Sequence, residues 1–445
     1  MRLARLGARW SLCGAIPLPV AAIGFLEQAS FVLLFVFLTQ RYLPEDRGLG
    51  VAFAGFVIMT FGLTKLVAQA PAGWLADRLG YRTAIVLGLC TSLLATTVMM
   101  TWGQPWVFLA ATALYSVGKA PVGPALNATV ANLFAEEDRG KAVAYMNGAS
   151  LLAVAFAGLG SFVALDAMSM QVAFAASMAL TGAAGLTAVF YLQETAVLTT
   201  VASRAWRRAL PFRELMDGHV LTWGAIVLLL GIGMGLMGPL ARPYVRDVLG
   251  VELKQMVPYL VLPGVLAALT VIPFGHMADN LGRMRPLMLG LGLGALGLFG
   301  VAMTTSLLAI MMLTCLIMLS YTMTSPAVGA ALMDVTREET RGFVLGALAT
   351  VQGVGGALGP AIGGSIYESW TPQDVFIVAA AAGEAAAAQG PGRLSQFEPF
   401  GYLGPFPFDD GLKDGYGLRQ AAGDVFGHLL AEGGVGDGLV DASPG

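Results

Sequence analysis

Apolar runs of about twenty residues, parted by short polar stretches, divide most of this chain. A bilayer core takes about 20 mainly apolar residues per helix, so each run predicts a spanning helix. The first six fall at 14–39, 51–72, 83–102, 106–130, 142–165 and 170–192. Five more fall at 219–240, 255–275, 286–303, 305–331 and 342–367, and a twelfth is expected at 372–394. There the pattern breaks. After Ala380 the chain reads Ala381-Ala382-Gly383-Glu384, then Gln389-Gly390-Pro391-Gly392, and the remainder to Gly445 shows no 3.6-residue period. The expectation is a frameshift near 378–384 that leaves the twelfth helix degraded or missing; a disordered extension behind a short last helix is the alternative.

The polar stretches repeat. Gly73-Trp74-Leu75-Ala76-Asp77-Arg78-Leu79-Gly80 returns 202 residues on as Gly275-His276-Met277-Ala278-Asp279-Asn280-Leu281-Gly282. The same shift carries Glu136-Glu137-Asp138-Arg139-Gly140 onto Glu338-Glu339-Thr340-Arg341-Gly342. Two segments related by one shift mean a duplicated chain. The organisation expected is a first bundle over 1–200, a linker over 201–218, a second bundle over 219–390 and a tail over 391–445. Repeats in a polytopic membrane protein point to transport, because substrate sites form where repeats meet.

Composition agrees with a membrane. Charged residues are 12% and apolar residues 56% of the chain, against about 25% charged in soluble proteins; mean hydropathy is +0.73. A net charge of −3 gives no reason to expect nucleic acid. Cys13, Cys90 and Cys315 lie in or beside apolar runs and read as packing residues. The run after Arg2, Arg5 and Arg9 is too long for a signal-peptide core and is expected to stay as the first span. Lysines and arginines set the orientation. With the N-terminus inside, the inner segments hold Arg2, Arg5, Arg9, Arg78, Arg82, Arg139, Lys141, four arginines from Arg204 to Arg213, and Arg283, Arg285, Arg337 and Arg341. The outer loops hold Arg41, Arg47, Arg242, Arg246 and Lys254. That threefold bias predicts a cytoplasmic N-terminus, and the expected location is the cell's inner (cytoplasmic) membrane.

At the repeated loop the chain resembles the major facilitator superfamily. The signature between that family's second and third helices reads roughly G-x-L-A-D-R-x-G-R-K; here it is Gly73, Leu75, Ala76, Asp77, Arg78 and Gly80, with Tyr81 at the first basic position and Arg82 at the second. The later copy keeps Gly275, Asp279, Gly282 and Arg283. The resemblance covers about residues 10–380. It implies an all-α polytopic membrane protein of two pseudo-symmetric six-helix bundles. It also implies a cytoplasmic gate, in which Asp77 accepts hydrogen bonds from helix N-terminal amides or pairs with Arg78 or Arg82. In the family such contacts hold the cytoplasmic side closed in the outward-open state. Gly355, Gly359, Pro360, Gly363 and Gly364 have the shape of the antiporter signature that drug exporters carry in helix 5. Here they stand in helix 11, and the helix 5 equivalents lack the proline. Close packing with a kink is the expectation, compatible with a flexing gate helix.

Ionisable groups inside a bilayer are costly and default to function. Glu27, Lys65 and Lys119 are the candidates, all in the first half; Leu229, Ala267 and Tyr321 stand 202 residues later. Glu27 and Lys119 each lie 13 residues into their predicted spans, about 20 Å deep. The family's helices 1 and 4 line the cavity, so the two are expected to face each other there, with Gln28 beside them. The pair favours ionised Glu27 while burial favours its neutral form, the competition a proton carrier needs. Lys65 is expected to snorkel to the cytoplasmic interface. Gln69, Asn127, Asn147 and Gln352 are further polar candidates.

Other patterns carry no chemistry. Gly233-x-Gly235-x-x-Gly238 and Gly292-x-Gly294-x-x-Gly297 follow no strand. His219, His276 and His428 show no metal spacing, and neither H-E-x-x-H nor G-x-S-x-G occurs. Neither enzyme, cofactor nor metal is expected. The expected function is secondary transport by alternating access, proton-coupled export of a small amphipathic compound, by a monomer in the lipid bilayer. A sugar or metabolite carrier of the same fold is the nearer alternative, and a non-transporting membrane sensor the farther one.

Overall fold

The computed structural model describes residues 18–134, 136–192, 215–251, 261–267, 269–270, 273–274, 284–336 and 340–394. Every regular element among them is helical. In the first half these are α1 (Leu18–Phe37), which runs on as a π-helical stretch over Leu38–Asp46, α2 (Gly50–Leu79), α3 (Tyr81–Thr101), α4 (Pro105–Lys119), α5 (Val122–Leu133), α6 (Glu136–Ala164) and α7 (Met170–Tyr191). The second half holds α8 (Gly218–Leu236), α9 (Ala241–Asp247), α10 (Met284–Ala302), α11 (Leu307–Val335), α12 (Arg341–Ser369) and α13 (Asp374–Leu394).

Among the described residues eight helices are long and apolar enough to cross a membrane, and α8 with α9, bent by 50°, makes a ninth. The fourth predicted span is broken between α4 and α5 at Ala120-Pro121. Proline offers no amide to the helix and crowds the carbonyl four residues back, so a break belongs there. Of the eighth predicted span, 255–275, only 261–267, 269–270 and 273–274 are described, all helical; most of the 201–218 linker and the tail beyond residue 394 lie outside the described residues. The twelfth segment is helical, continuing through the alanines after Ala380 to Leu394. Alanine sustains a helix better than any other residue. Yet α13 is not among the helices apolar enough to cross, so its degradation is one of hydropathy. Its first turns pack Val375, Phe376 and Ala379 with Leu236, Leu240 and Tyr244. Phe156, Phe190, Leu151, Trp106 and Leu296 stand exposed on the bundle, as side chains facing lipid do.

Inside each half consecutive helices pack, α3 on α4 and α10 on α11, and so do sequence-distant ones, α1 on α6 and α7, α3 on α7 and α8 on α12. Ser30 of α1 clasps α7, its hydroxyl 2.8 Å from Ser177 Oγ and 2.7 Å from Thr181 Oγ1. Such bonds replace the hydrophobic drive that lipid removes. Between the halves the principal contact is α2 against α12. The apolar core is uneven along the bundle. At the end holding Leu38 and Leu43 one cluster runs from the first half to Val245 and Ile310 of the second. A cluster nearer the opposite end, around Ile23, Ile85 and Ala142, draws only on the first half. The halves are therefore joined at one end.

Candidate functional site

Glu27 and Lys119 meet. Lys119 is the last residue of α4, just before the proline break, and is 7% exposed. Its position depends on a close helix contact: a Cβ at Gly118 would stand 2.6 Å from the Gly88 carbonyl oxygen of α3. Nζ of Lys119 donates to Glu27 Oε1 and lies 3.3 Å from Gln28 Oε1. It also sits over the Phe31 ring, 4.4 Å from its centre. Phe31 stacks on Phe61 at 4.9 Å, and Phe35 and Tyr115 complete the aromatic group. Ion pair and cation–π contact together offset the cost of burying the ammonium.

Behind Phe31 opens a cavity of about 380 Å³ between α1, α2 and α12. Phe31 and Phe61 form its aromatic wall, Lys65 and Gln69 its polar part, and Gly353, Gly356 and Ala357 its second-half face. Lys65 departs from the snorkelling expectation. Its ammonium lies 5.9 Å from the centre of Phe61, one turn back from the motif end. Helical side chains tilt toward the N-terminus, and α2 runs on to Leu79, so the interface is farther than the predicted span implied. Asn127, Asn147 and Gln352 are exposed and outside this lining.

The glycine-rich stretch of α12 is a packing seam. A Cβ at Gly359 would stand 2.6 Å from Gly235 Cα of α8, and one at Gly364 2.7 Å from the Val51 carbonyl of α2. Gly355 and Gly363 likewise face the backbone of α8, while the Pro360 carbonyl faces Gly55. α12 thus touches its own half with one stripe and the first half with another.

At the end away from the Gly73–Gly80 motif the halves are tied by polar groups that the sequence reading passed over. Arg242 reaches Glu45 and Asp166, both at 2.9 Å, and Arg246 reaches Glu45 at 3.0 Å. Gln40 donates to the Gly238 carbonyl at 2.8 Å and accepts from the Arg242 amide at 3.0 Å. Glu368 accepts from the Ala52 amide at 3.0 Å. A signal was available: Arg41-x-x-x-x-Asp46 returns 201 residues on as Arg242-x-x-x-x-Asp247, placing Arg246 where the first half has Glu45.

Among the described residues no ion pair holds the motif loop. Gly80 takes φ 91° between α2 and α3, a positive-φ turn that glycine adopts without strain. Gly73, by contrast, has room for a Cβ. Among the described residues Asp77 pairs with neither Arg78 nor Arg82; it accepts from Tyr81 Oη at 3.4 Å. Arg78 stacks on Trp74 at 4.0 Å, and Arg82 donates to the Val189 carbonyl at 2.7 Å. Gly275, Asp279, Gly282 and Arg283 lie outside the described residues.

The chain is similar to known membrane transporters. It is 26% identical to Multidrug resistance protein 2 of Bacillus subtilis over 321 residues, which is 71% of this chain and 80% of that protein. It is 23% identical to the proton-coupled antiporter flippase LtaA of Staphylococcus saprophyticus, over 73% of this chain and 81% of that one. The crystal structure of the nucleoside transporter NupG shares the fold with a TM-score of 0.70 at 14% identity, over 83% of this chain and 97% of that one. A family model described as Major Facilitator Superfamily matches residues 20–360 and 260–388. The chain belongs to the Major Facilitator Superfamily, whose members are multi-pass membrane transporters rather than enzymes.

Proposed function

We propose that this chain is a monomeric proton-coupled exporter of a small amphipathic compound in the cytoplasmic membrane, with its N-terminus inside. The observation that carries the reading is the buried Glu27–Lys119 pair beside the cavity. Protonation of Glu27 cancels its attraction to Lys119, so the two protonation states differ in free energy between conformations, as any coupled cycle requires. Bundles 1–200 and 219–390 rock about the cavity. With the positive-inside orientation, the polar ties around Arg242 close the outer end and the idle Asp77 loop belongs to the open inner end. The names of the multidrug-resistance and proton-coupled relatives support export and proton coupling.

Vesicle transport with an imposed pH gradient, screened across amphipathic compounds, is the test. Glu27→Gln mimics the protonated acid. It is expected to abolish gradient-driven accumulation while keeping substrate binding or downhill exchange. Accumulation by Glu27→Gln with the wild-type pH dependence overturns the role of Glu27.

A further inference from the structure

Lys65 is the charged residue among those lining the cavity. The nearby acid, Glu27, is already engaged by Lys119 on the other side of Phe31. No carboxylate of the described residues lies within ion-pair distance of Lys65; its contact is the Phe61 ring at 5.9 Å. Lys65 therefore gives the cavity a net positive charge midway along α2, fifteen residues from Gly50 and fourteen from Leu79. An ammonium at such a depth is retained against its cost where something in the cavity answers it. Gln69 lies one turn further along the same face of α2 and also lines the cavity, its carboxamide able to donate. Phe31 and Phe61 offer a stacked aromatic wall of a size to cover a flat apolar body. The opposite wall is α12 at Gly353, Gly356 and Ala357, with Leu66 of α2 packed over Gly353.

We infer that Lys65 and Gln69 form an anion-recognising end of the cavity and that the ligand is an amphipathic organic acid. Its carboxylate, sulfonate or phosphate sits at Lys65, and its apolar part lies on Phe31 and Phe61. This inference rests on the transporter reading for its biological meaning, but its physical content is binding and stands apart from turnover. The acid group has two sources, a soluble organic anion or the headgroup of an anionic lipid, and the same chemistry serves both.

The test uses the full chain in nanodiscs of neutral phosphatidylcholine. Its probes are anilinonaphthalene sulfonate, an anion, and N-phenylnaphthylamine, its neutral counterpart. The wild type is expected to bind the sulfonate at least tenfold more tightly than the amine. Lys65→Gln is expected to lose at least tenfold in sulfonate affinity with the amine unchanged, which also certifies that the variant is folded. Lys65→Arg is expected to keep the preference, and Lys65→Glu to transfer it to the cation tetraphenylphosphonium. Equal sulfonate affinity in wild type and Lys65→Gln overturns the inference, as does a wild-type preference for the cation. Added phosphatidylglycerol separates the sources: displacement of the sulfonate in wild type assigns the acid to lipid, and no displacement assigns it to a soluble ligand. A chain that shows the Lys65-dependent preference yet moves nothing in the pH-gradient assay retains the inference and loses the transporter reading.

Discussion

Glu27 and Lys119 belong to the same half, buried and joined through α1 and α4, whereas Glu45 and Asp166 face Arg242 and Arg246 across the divide. The difference lies in what each set feels when the halves rock. In the proposed cycle the first is not pulled apart when the halves rock; what differs between the states is its access to water, and so the cost of keeping Glu27 ionised. The second joins the two halves, so in the proposed cycle it must come apart when that end opens and weighs directly on the equilibrium between states. The first is built to respond to chemistry and the second to geometry.

The largest effect expected is on stability, from Lys119→Ala. Removing one partner of a buried pair costs about 3–5 kcal/mol because the other charge is left alone. Adding Glu27→Gln should restore most of the loss, and thermal unfolding of the two single variants and the double variant measures the coupling. Full additivity would show that the two groups do not act as a pair.

Arg242→Glu tests the other member of the comparison. It sets like charges against Glu45 and Asp166 and should favour the outer-open state by about 2 kcal/mol, roughly thirtyfold in population. Spin-label distances across the outer end should lengthen while the melting temperature changes less than in Lys119→Ala. Unchanged distances would mean that the apolar cluster reaching Val245 and Ile310 closes the outer end without help from charge.

The smallest stability effect is expected at Asp77→Asn, within about 0.5 kcal/mol, as befits a surface position away from packed features. Turnover should nevertheless fall, because in the proposed cycle the loop acts when the inner end closes. Normal turnover in this variant would reduce the loop to a topology anchor.

Helix positions were legible because length and hydropathy alone fix them: α3 and α7 begin and end within about two residues of the expected spans. The meeting of Glu27 and Lys119 was legible too, since equal depth on two spans is a statement about rise per residue. Lys65 was misplaced because its predicted span stopped at 72, while α2 continues through the motif to Leu79 and its side chain leans the other way. The Glu45–Arg246 pair was overlooked for another reason. Each residue alone is an ordinary loop charge, and their complementarity shows only when the two repeats are set face to face. Asp77 was expected to accept from helix N-terminal amides or to pair with Arg78 or Arg82; among the described residues it meets the phenol of Tyr81, which stands at the first basic position of the motif. The second-half motif and the tail beyond residue 394 remain expectations.

The Glu27–Lys119 pair has an electrical consequence. While Glu27 is ionised the pair adds no net charge to its bundle, and Lys65 contributes one positive charge that a bound organic acid cancels. With Glu27 protonated and the acid gone, Lys119 and Lys65 leave two positive charges near the cavity. In the proposed cycle the loaded outward step is thus electroneutral and the return step carries charge inward. A full elementary charge crossing 100 mV is worth about 2.3 kcal/mol. An inside-negative voltage should therefore speed transport even with pH equal on both sides. Potassium–valinomycin potentials across loaded vesicles measure this directly, and indifference to voltage would contradict the assignment of charges.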